Sequence, residues 1–162
     1  IRILNLIWIL VLMEILEIKS SYEYPSCALS NFYPHSFVID GVECASMEGF
    51  LQSLKYRSIK KQKKICRFSG IEAKKKGRFK LLWKLTGKIY WQGIKIDRFS
   101  NEFQELIKRA YNSVFENESF KKALFDSKGY TLSHKIGKND PKKTILTEKE
   151  FLFMLNTLRD ML

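Results

Sequence analysis

Cysteine, proline, histidine and glycine are all sparse in this chain, at 3, 3, 2 and 8 of 162 residues. Three cysteines (Cys27, Cys44 and Cys66) without a CxxC pair give neither a disulfide framework nor a zinc-like spacing, and they suit a reducing, cytoplasmic setting with buried thiols. Two histidines outside any HExxH pattern do not make a histidine-rich metal site. So few glycines and prolines exclude collagen-like and low-complexity classes. Long apolar runs are missing too. The opening IRILNLIWILVL is nearly all apolar, but Arg2, Asn5 and Glu14 interrupt the stretch to Leu16. It falls short of the roughly 20 uninterrupted residues that a membrane span needs, and no small-residue cleavage site follows, as a signal peptide requires. Met13 opens a more ordinary sequence. Residues 1–12 are therefore expected to be an extension and residues 13–162 the domain, with an N-terminal strand or a membrane-associated segment as the competing readings.

Acidic residues are scarce in one place only. Between Arg57 and Lys88 stand 13 Lys/Arg against a single acid, Glu72, while the whole chain carries 29 Lys+Arg against 17 Asp+Glu, a net +12. One segment thus holds the entire imbalance, and its partner should be anionic. What the chain does have is a core: 45% hydrophobic and 14% aromatic residues exclude disorder as a description of the whole.

Residues 13–20 read as a strand. Asp40-Gly41 between SFVI and VECA is a hairpin signal. Ser46 caps a helix to about Tyr56, whose Met47, Phe50, Leu51 and Leu54 share one face at i, i+3, i+4 and i+7. Lysine-rich helical turns follow, with Gly77 as a C′ stop, and LLWKLTGKIYWQGIKI is part helix, part strand. A helix from Asn101, with a capping box to Gln104, presents Phe103, Leu106, Ile107, Ala110 and Val114 inward. NESFKKALFDSKG is a short helix, YTLSHKI a strand and HKIGKNDPKKT a loop. A capping box from Thr147 to Glu150 opens the last helix, with Phe151, Leu155, Leu158 and Leu162 facing in. The expected fold is a single compact α+β domain, richer in helix than in strand.

On the helix after Ser46, Glu48, Gln52 and Lys55 form a second stripe at i, i+4 and i+7, roughly 110–120° round from the apolar face. Glu48 lies in the first turn, where free N–H groups favour an ionised carboxylate. Spacing alone leaves two readings open: a catalytic and ligand-binding edge, or a capping-turn acid on a solvated face.

LSNF, followed about fifteen residues later by S-x-E-x-x-x-Q-x-x-K, resembles the NADAR family, the NAD- and ADP-ribose-associated domains also called YbiA-like. The matching residues are Leu29, Ser30, Asn31, Phe32, Ser46, Glu48, Gln52 and Lys55. Looser matches at Ala73, Gly77, Trp91, Leu155, Leu158 and Arg159 extend the likeness over most of residues 13–162. The resemblance implies a compact YbiA-like α+β fold and hydrolysis of an N-glycosidic bond, in phosphorylated intermediates of riboflavin synthesis or in ADP-ribosylated nucleobases. It places Glu48 in the active site, Gln52 and Lys55 on the pocket wall, and Ser30, Asn31 and Phe32 in the preceding loop. Many relatives carry D-x-x-W-G-x-G before the last helix. Here SHKIGKNDPKKT stands instead, so His134, Gly137, Lys138 and Asp140 are candidates for that loop's work, with Asp140 as the second acid.

Cleaving a ribose–nitrogen bond passes through a cation-like sugar, which a carboxylate stabilises or an activated water traps. The scheme needs neither metal nor cofactor. Glu48 suits electrostatic stabilisation or water activation, and Asp140 and His134 are candidate donors to the leaving group. Lys55, Lys74 and Arg78 could hold a phosphate or pyrophosphate. Trp91 is a candidate stacking residue, with core packing as its alternative, and His134 contacts ligand or holds its loop. The expected activity is a cytoplasmic N-glycosidase acting on a phosphorylated nucleotide or ADP-ribosyl conjugate, which nucleic acid can carry, with no membrane partner. A non-catalytic ADP-ribose or NAD-binding module is the first alternative. A nucleic-acid-binding protein using residues 57–88, with Tyr56, Phe68, Phe79 and Trp83 interleaved among the cations, is the second.

Overall fold

The computed structural model describes residues 13–162, so the expectation for residues 1–12 lies outside the described residues. In chain order the elements are β1 (Ile15–Glu17), α1 (Ser26–Leu29), β2 (Phe37–Ile39), β3 (Val42–Cys44), α2 (Met47–Ser53), α3 (Ile59–Cys66) and α4 (Gly70–Gly77). They continue as α5 (Leu82–Thr86), β4 (Lys88–Trp91), β5 (Ile94–Asp97), α6 (Asn101–Phe115), α7 (Glu118–Asp126), β6 (Thr131–Ser133) and α8 (Glu148–Arg159). This is the expected α+β fold, with helices around short two-stranded pairs.

Two of the pairs are local hairpins. Asp40 (φ 48°) and Gly41 (φ 75°) turn β2 into β3, and Gln92 (φ 48°) and Gly93 (φ 82°) turn β4 into β5, each supplying the two left-handed residues that a tight hairpin requires. The third pair is not local. β1 runs parallel to β6 with Leu16 opposite Leu132, so the first described strand is completed by one near the other end of the chain.

Helix starts follow local chemistry. Ser46 Oγ accepts from Gly49 N at 3.0 Å, Asn117 caps α7, and Thr147 with Glu150 forms the expected capping box on α8. The cap of α6 is Ser100 rather than Asn101: its hydroxyl accepts from Phe103 N, while Gln104 reaches across to Glu150. The inward face of α6 is as expected, extended by Tyr111. α8 ends at Arg159, which leaves Leu162 outside the core.

Phe50 on α2 is the centre of the core, fully buried and edge-on to both Trp91 (5.0 Å between centroids) and Phe37 (6.3 Å). Trp91 therefore packs in the core and does not stack on a ligand. Its indole N–H donates to Asp40 Oδ2 at 2.8 Å, and Arg109 reaches the same oxygen at 2.7 Å, which ties the first hairpin to β4 and α6. Gln62, the one polar residue on the buried face of α3, donates to Tyr90 O and accepts from Gln92 N, fixing α3 to the second hairpin. With Gln62, Ile65 and Cys66 turned inward, Lys60, Lys61, Lys63 and Lys64 fall on the outer face.

Gly77 is buried at the end of α4 and is not a left-handed stop. A Cβ there would overlap Gln52 Oε1 and Cδ, so any side chain at this position would push Gln52 out of its place on α2. Ala73, one turn earlier, is fully buried as well. This small-residue face lets α4 lie against α2, and it turns Lys74 and Arg78, four residues apart, toward one rim. Among the described residues no helix is long and apolar enough to cross a membrane.

Candidate functional site

A cavity of about 390 Å³ opens between α2, the loop before β2, α4, α5 and the segment from His134 into α8. Eleven of the thirteen residues singled out in the sequence line it: Ser30, Asn31, Phe32, Glu48, Gln52, Lys55, Lys74, Arg78, His134, Gly137 and Lys138, with Trp91 and Asp140 outside it. The size lies within the range of small-molecule sites, roughly 300–1,000 Å³.

The loop and the helix are bonded to each other. Glu48 N donates to Asn31 O at 2.9 Å, and Gly70 N donates to Phe32 O at 3.0 Å, so residues 31–32 are docked on the starts of α2 and α4 together. Ser46 also donates to Phe68 O, which closes the same corner. Side chains from three separate stretches are thereby set around one carboxylate.

That carboxylate is buried, with 9% of Glu48 exposed. Gln52 Nε2 donates to its Oε1 at 2.8 Å, and Oε2 has no partner among the described residues. Burial is the largest influence on its ionisation and pushes it above the ordinary carboxylate range, against the Gln52 hydrogen bond and the ammonium groups of Lys55 and Lys74. The sequence reading credited the start of α2 with favouring the ionised form; burial acts on Glu48 in the opposite sense, and α2 is only seven residues long. Lys55 is affected in the complementary sense. Burial lowers it to about 8, Glu48 opposing and Lys84 and Lys74 adding to the fall. Its Nζ donates to Gly77 O at 3.3 Å, a carbonyl at the end of α4 that also accepts from Lys80 N.

Lys74, Arg78 and Lys84 from the basic segment join Lys55 on one wall, and Lys138 and Lys143 face them from the other. Glu48 and Glu148 are the acids that line the same space, so the cavity is net positive and suits an anionic ligand. Among the described residues no three metal-binding side chains are grouped.

Asp140 does not line the cavity. Its carboxylate accepts from Lys142 N at 2.9 Å and its carbonyl from Lys143 N, so it shapes the turn after His134. The second cavity carboxylate is Glu148, at the start of α8 and hydrogen-bonded to Asn139. Nothing in TEKE distinguished it from a capping acid. His134 Nδ1 donates to Ile18 O at 2.9 Å and its ring stands edge-on to Phe151, leaving Nε2 without a partner among the described residues. Two polar atoms of the wall are buried without a hydrogen bond, Gln52 Oε1 and Trp83 Nε1. Tyr111 also went unnoticed in the sequence as more than a core aromatic; its Oη donates to Asn31 Oδ1 at 2.8 Å.

The class of the molecule follows from its architecture, which is similar to that of the E. coli protein YbiA, solved by NMR. The likeness covers 92% of this chain and 84% of that one, with a TM-score of 0.60 and 16% identity. The fold is YbiA-like. At the level of sequence the chain belongs to the family described as bacteriophage protein GP30.3, whose profile matches residues 23–160. A protein of enterobacteria phage T4, described as an uncharacterized 17.1 kDa protein in the Gp30-rIII intergenic region, is 41% identical over 152 residues, 93% of this chain and 100% of that protein.

Proposed function

We propose that this protein is an N-glycosidase that hydrolyses the ribose–nitrogen bond of a phosphorylated nucleotide or ADP-ribosyl conjugate, in the manner that the NADAR resemblance implies. The observation that carries it is Glu48: a buried carboxylate with one oxygen braced by Gln52 and the other open, set in a cavity lined by Lys55, Lys74, Arg78 and Lys84. The cations suit a phosphate or pyrophosphate. The carboxylate suits a sugar carbon that gains positive charge as its bond to nitrogen breaks.

The bond between the sugar's anomeric carbon and nitrogen breaks, with its electron pair going to nitrogen. Water adds to the carbon, and Glu48 takes the water's proton. An upward-shifted carboxylate serves this step, because raising its basicity makes it a better acceptor for the water's proton. The departing nitrogen takes a proton from the cavity. His134 supplies it through Nε2 only as the imidazolium, because Nδ1–H is already given to Ile18 O, whereas Asp140 is engaged in its own turn.

The test offers ADP-ribosylated oligonucleotides, phosphoribosyl pyrimidines and NAD to the purified protein and follows release of free base by chromatography. Turnover of one of them is expected. Binding of ADP-ribose without any base release would replace the enzyme by a binding module. A nucleic-acid-binding reading has support of its own in the four outward lysines of α3. It would win if binding were strongly salt-dependent and indifferent to ADP-ribose.

A further inference from the structure

Tyr111 sits behind the cavity on α6 with 1% of its surface exposed. A buried phenol must place its proton, since an unsatisfied O–H in the interior is costly. Among the described residues its one acceptor is Asn31 Oδ1, at 2.8 Å. Burial also raises the Tyr111 hydroxyl far above the ordinary phenol range, so it keeps that proton wherever the protein is folded.

This fixes Asn31. An amide can present either end, and only its surroundings decide which. Were the amide reversed, Tyr111 would accept from the NH2 group and its own proton would have nowhere to go. The carbonyl end is therefore held toward Tyr111, on the side of the small cavity that Asn31 and Tyr111 line together, and the NH2 end has no protein partner among the described residues; Asn31 also lines the large cavity. The backbone of the same residue holds Glu48, through Glu48 N to Asn31 O at 2.9 Å.

We propose that Tyr111 is a specificity-determining positioning residue of this cavity. It takes the Asn31 carbonyl and so presents the Asn31 NH2 as a fixed donor to the cavity that Glu48 also lines, where it recognises a sugar hydroxyl by donating to its oxygen. The ligand's identity as a ribosyl compound rests on the N-glycosidase reading; the orientation of the amide does not.

Neutron diffraction from crystals of the unliganded, deuterated protein reads that orientation directly. Deuterium is expected on Tyr111 Oη, directed at the Asn31 carbonyl, with the ND2 group toward the cavity. An ND2 group facing Tyr111 overturns the proposal without any ligand. The affinity arm uses ADP-ribose in calorimetric titrations. Tyr111→Phe keeps the ring, and its affinity is expected to fall about five- to tenfold, the worth of one well-placed hydrogen bond. Asn31→Asp still accepts from Tyr111 but offers no donor, and its loss should be at least as large. In an Asn31→Ala background Tyr111→Phe should cost nothing further. An equal loss in both backgrounds would mean that Tyr111 acts through packing, and the proposal would fall. Wild-type protein that shows the expected amide orientation but has no affinity for ADP-ribose and releases no base from any of the substrates above would sink the N-glycosidase reading and leave the amide orientation standing.

Discussion

Lys60, Lys61, Lys63 and Lys64 on α3 and Lys55, Lys74, Arg78 and Lys84 round the cavity carry the same charge within one stretch of chain, yet they occupy different environments. The α3 set lies on the outer face of a helix whose inner side is Gln62, Ile65 and Cys66. In the cavity set Lys55 is partly buried and Lys74, Arg78 and Lys84 are exposed on the rim, Lys74 and Arg78 being brought there by the close approach of α4 to α2, which Ala73 and Gly77 permit. Charge density alone does not separate the two. Helical phase and the size of the residues behind each lysine do.

The largest expected effect lies on the cavity side, in Glu48→Gln. Losing one preorganised charge at a developing cation typically costs roughly 10²–10³ in rate, so turnover should fall at least a hundredfold by that estimate, with little change in ligand affinity. The variant should not be destabilised. Glu48 is shifted upward in the folded state, so its contribution is fully present below the unfolded value and is lost as pH rises through the folded one. At neutral pH an ionised Glu48 costs stability, and glutamine removes that cost. Thermal melts should show Tm at or above wild type, and undiminished turnover would remove Glu48 from the chemistry.

Gly77→Ala comes next. Overpacking at a tight contact costs about 1–3 kcal/mol, and the methyl group would displace Gln52 from Glu48 as well as loosen α4. Lower Tm and weaker ligand binding are expected together, by denaturant melts and titration. A fully stable variant with normal affinity would break the link drawn here between helix spacing and the cavity wall.

Lys55 supplies a smaller effect with a pH signature. Its charge is lost above about 8, so affinity for ADP-ribose should fall as pH rises past that value, and Lys55→Met should flatten the profile. Stability should move the other way. Between about 8 and 10.5 the unfolded chain holds the proton that the folded protein has released, so stability rises with pH across this window. Urea melts over that range should show the rise in wild type and its absence in Lys55→Met.

The smallest effect belongs to the outer face. Replacing Lys60, Lys61, Lys63 and Lys64 with glutamine should change turnover of a small nucleotide substrate by no more than about twofold, since exposed charges are screened within about 10 Å at ordinary salt. A nucleic-acid-borne substrate should instead show weaker binding and a shallower salt dependence. Equal, large losses on both substrates would erase the distinction between the two sets of lysines.

Much of this was legible in the chain because it is local. The Asp40-Gly41 turn, the Ser46 cap, the inward face of α6 and the Thr147–Glu150 box each depend on a few neighbouring residues, and each stands where spacing put it. What failed depends on distant partners. Trp91 is taken into the core by Phe50 and Asp40, and the role of Gly77 is visible only with Gln52 against it. The upward shift of Glu48 comes chiefly from burial, which spacing does not report. Glu148 and Tyr111 reach the site through α8 and α6, and no motif near either announces it.

The parallel pairing of β1 with β6 sets the order in which this molecule can be completed during synthesis. His134 bonds to Ile18 across 116 residues, and Lys135 N to Glu17 across 118. When α2 leaves the ribosome carrying Glu48, the wall bearing His134 and Glu148 has not yet been made. The early helices must wait as partial structure, because contacts this far apart in sequence are slow to form. A nascent chain thus emerges with its basic segment exposed and its cavity open on one side, and ligand can be gripped from both walls only after translation has passed α8.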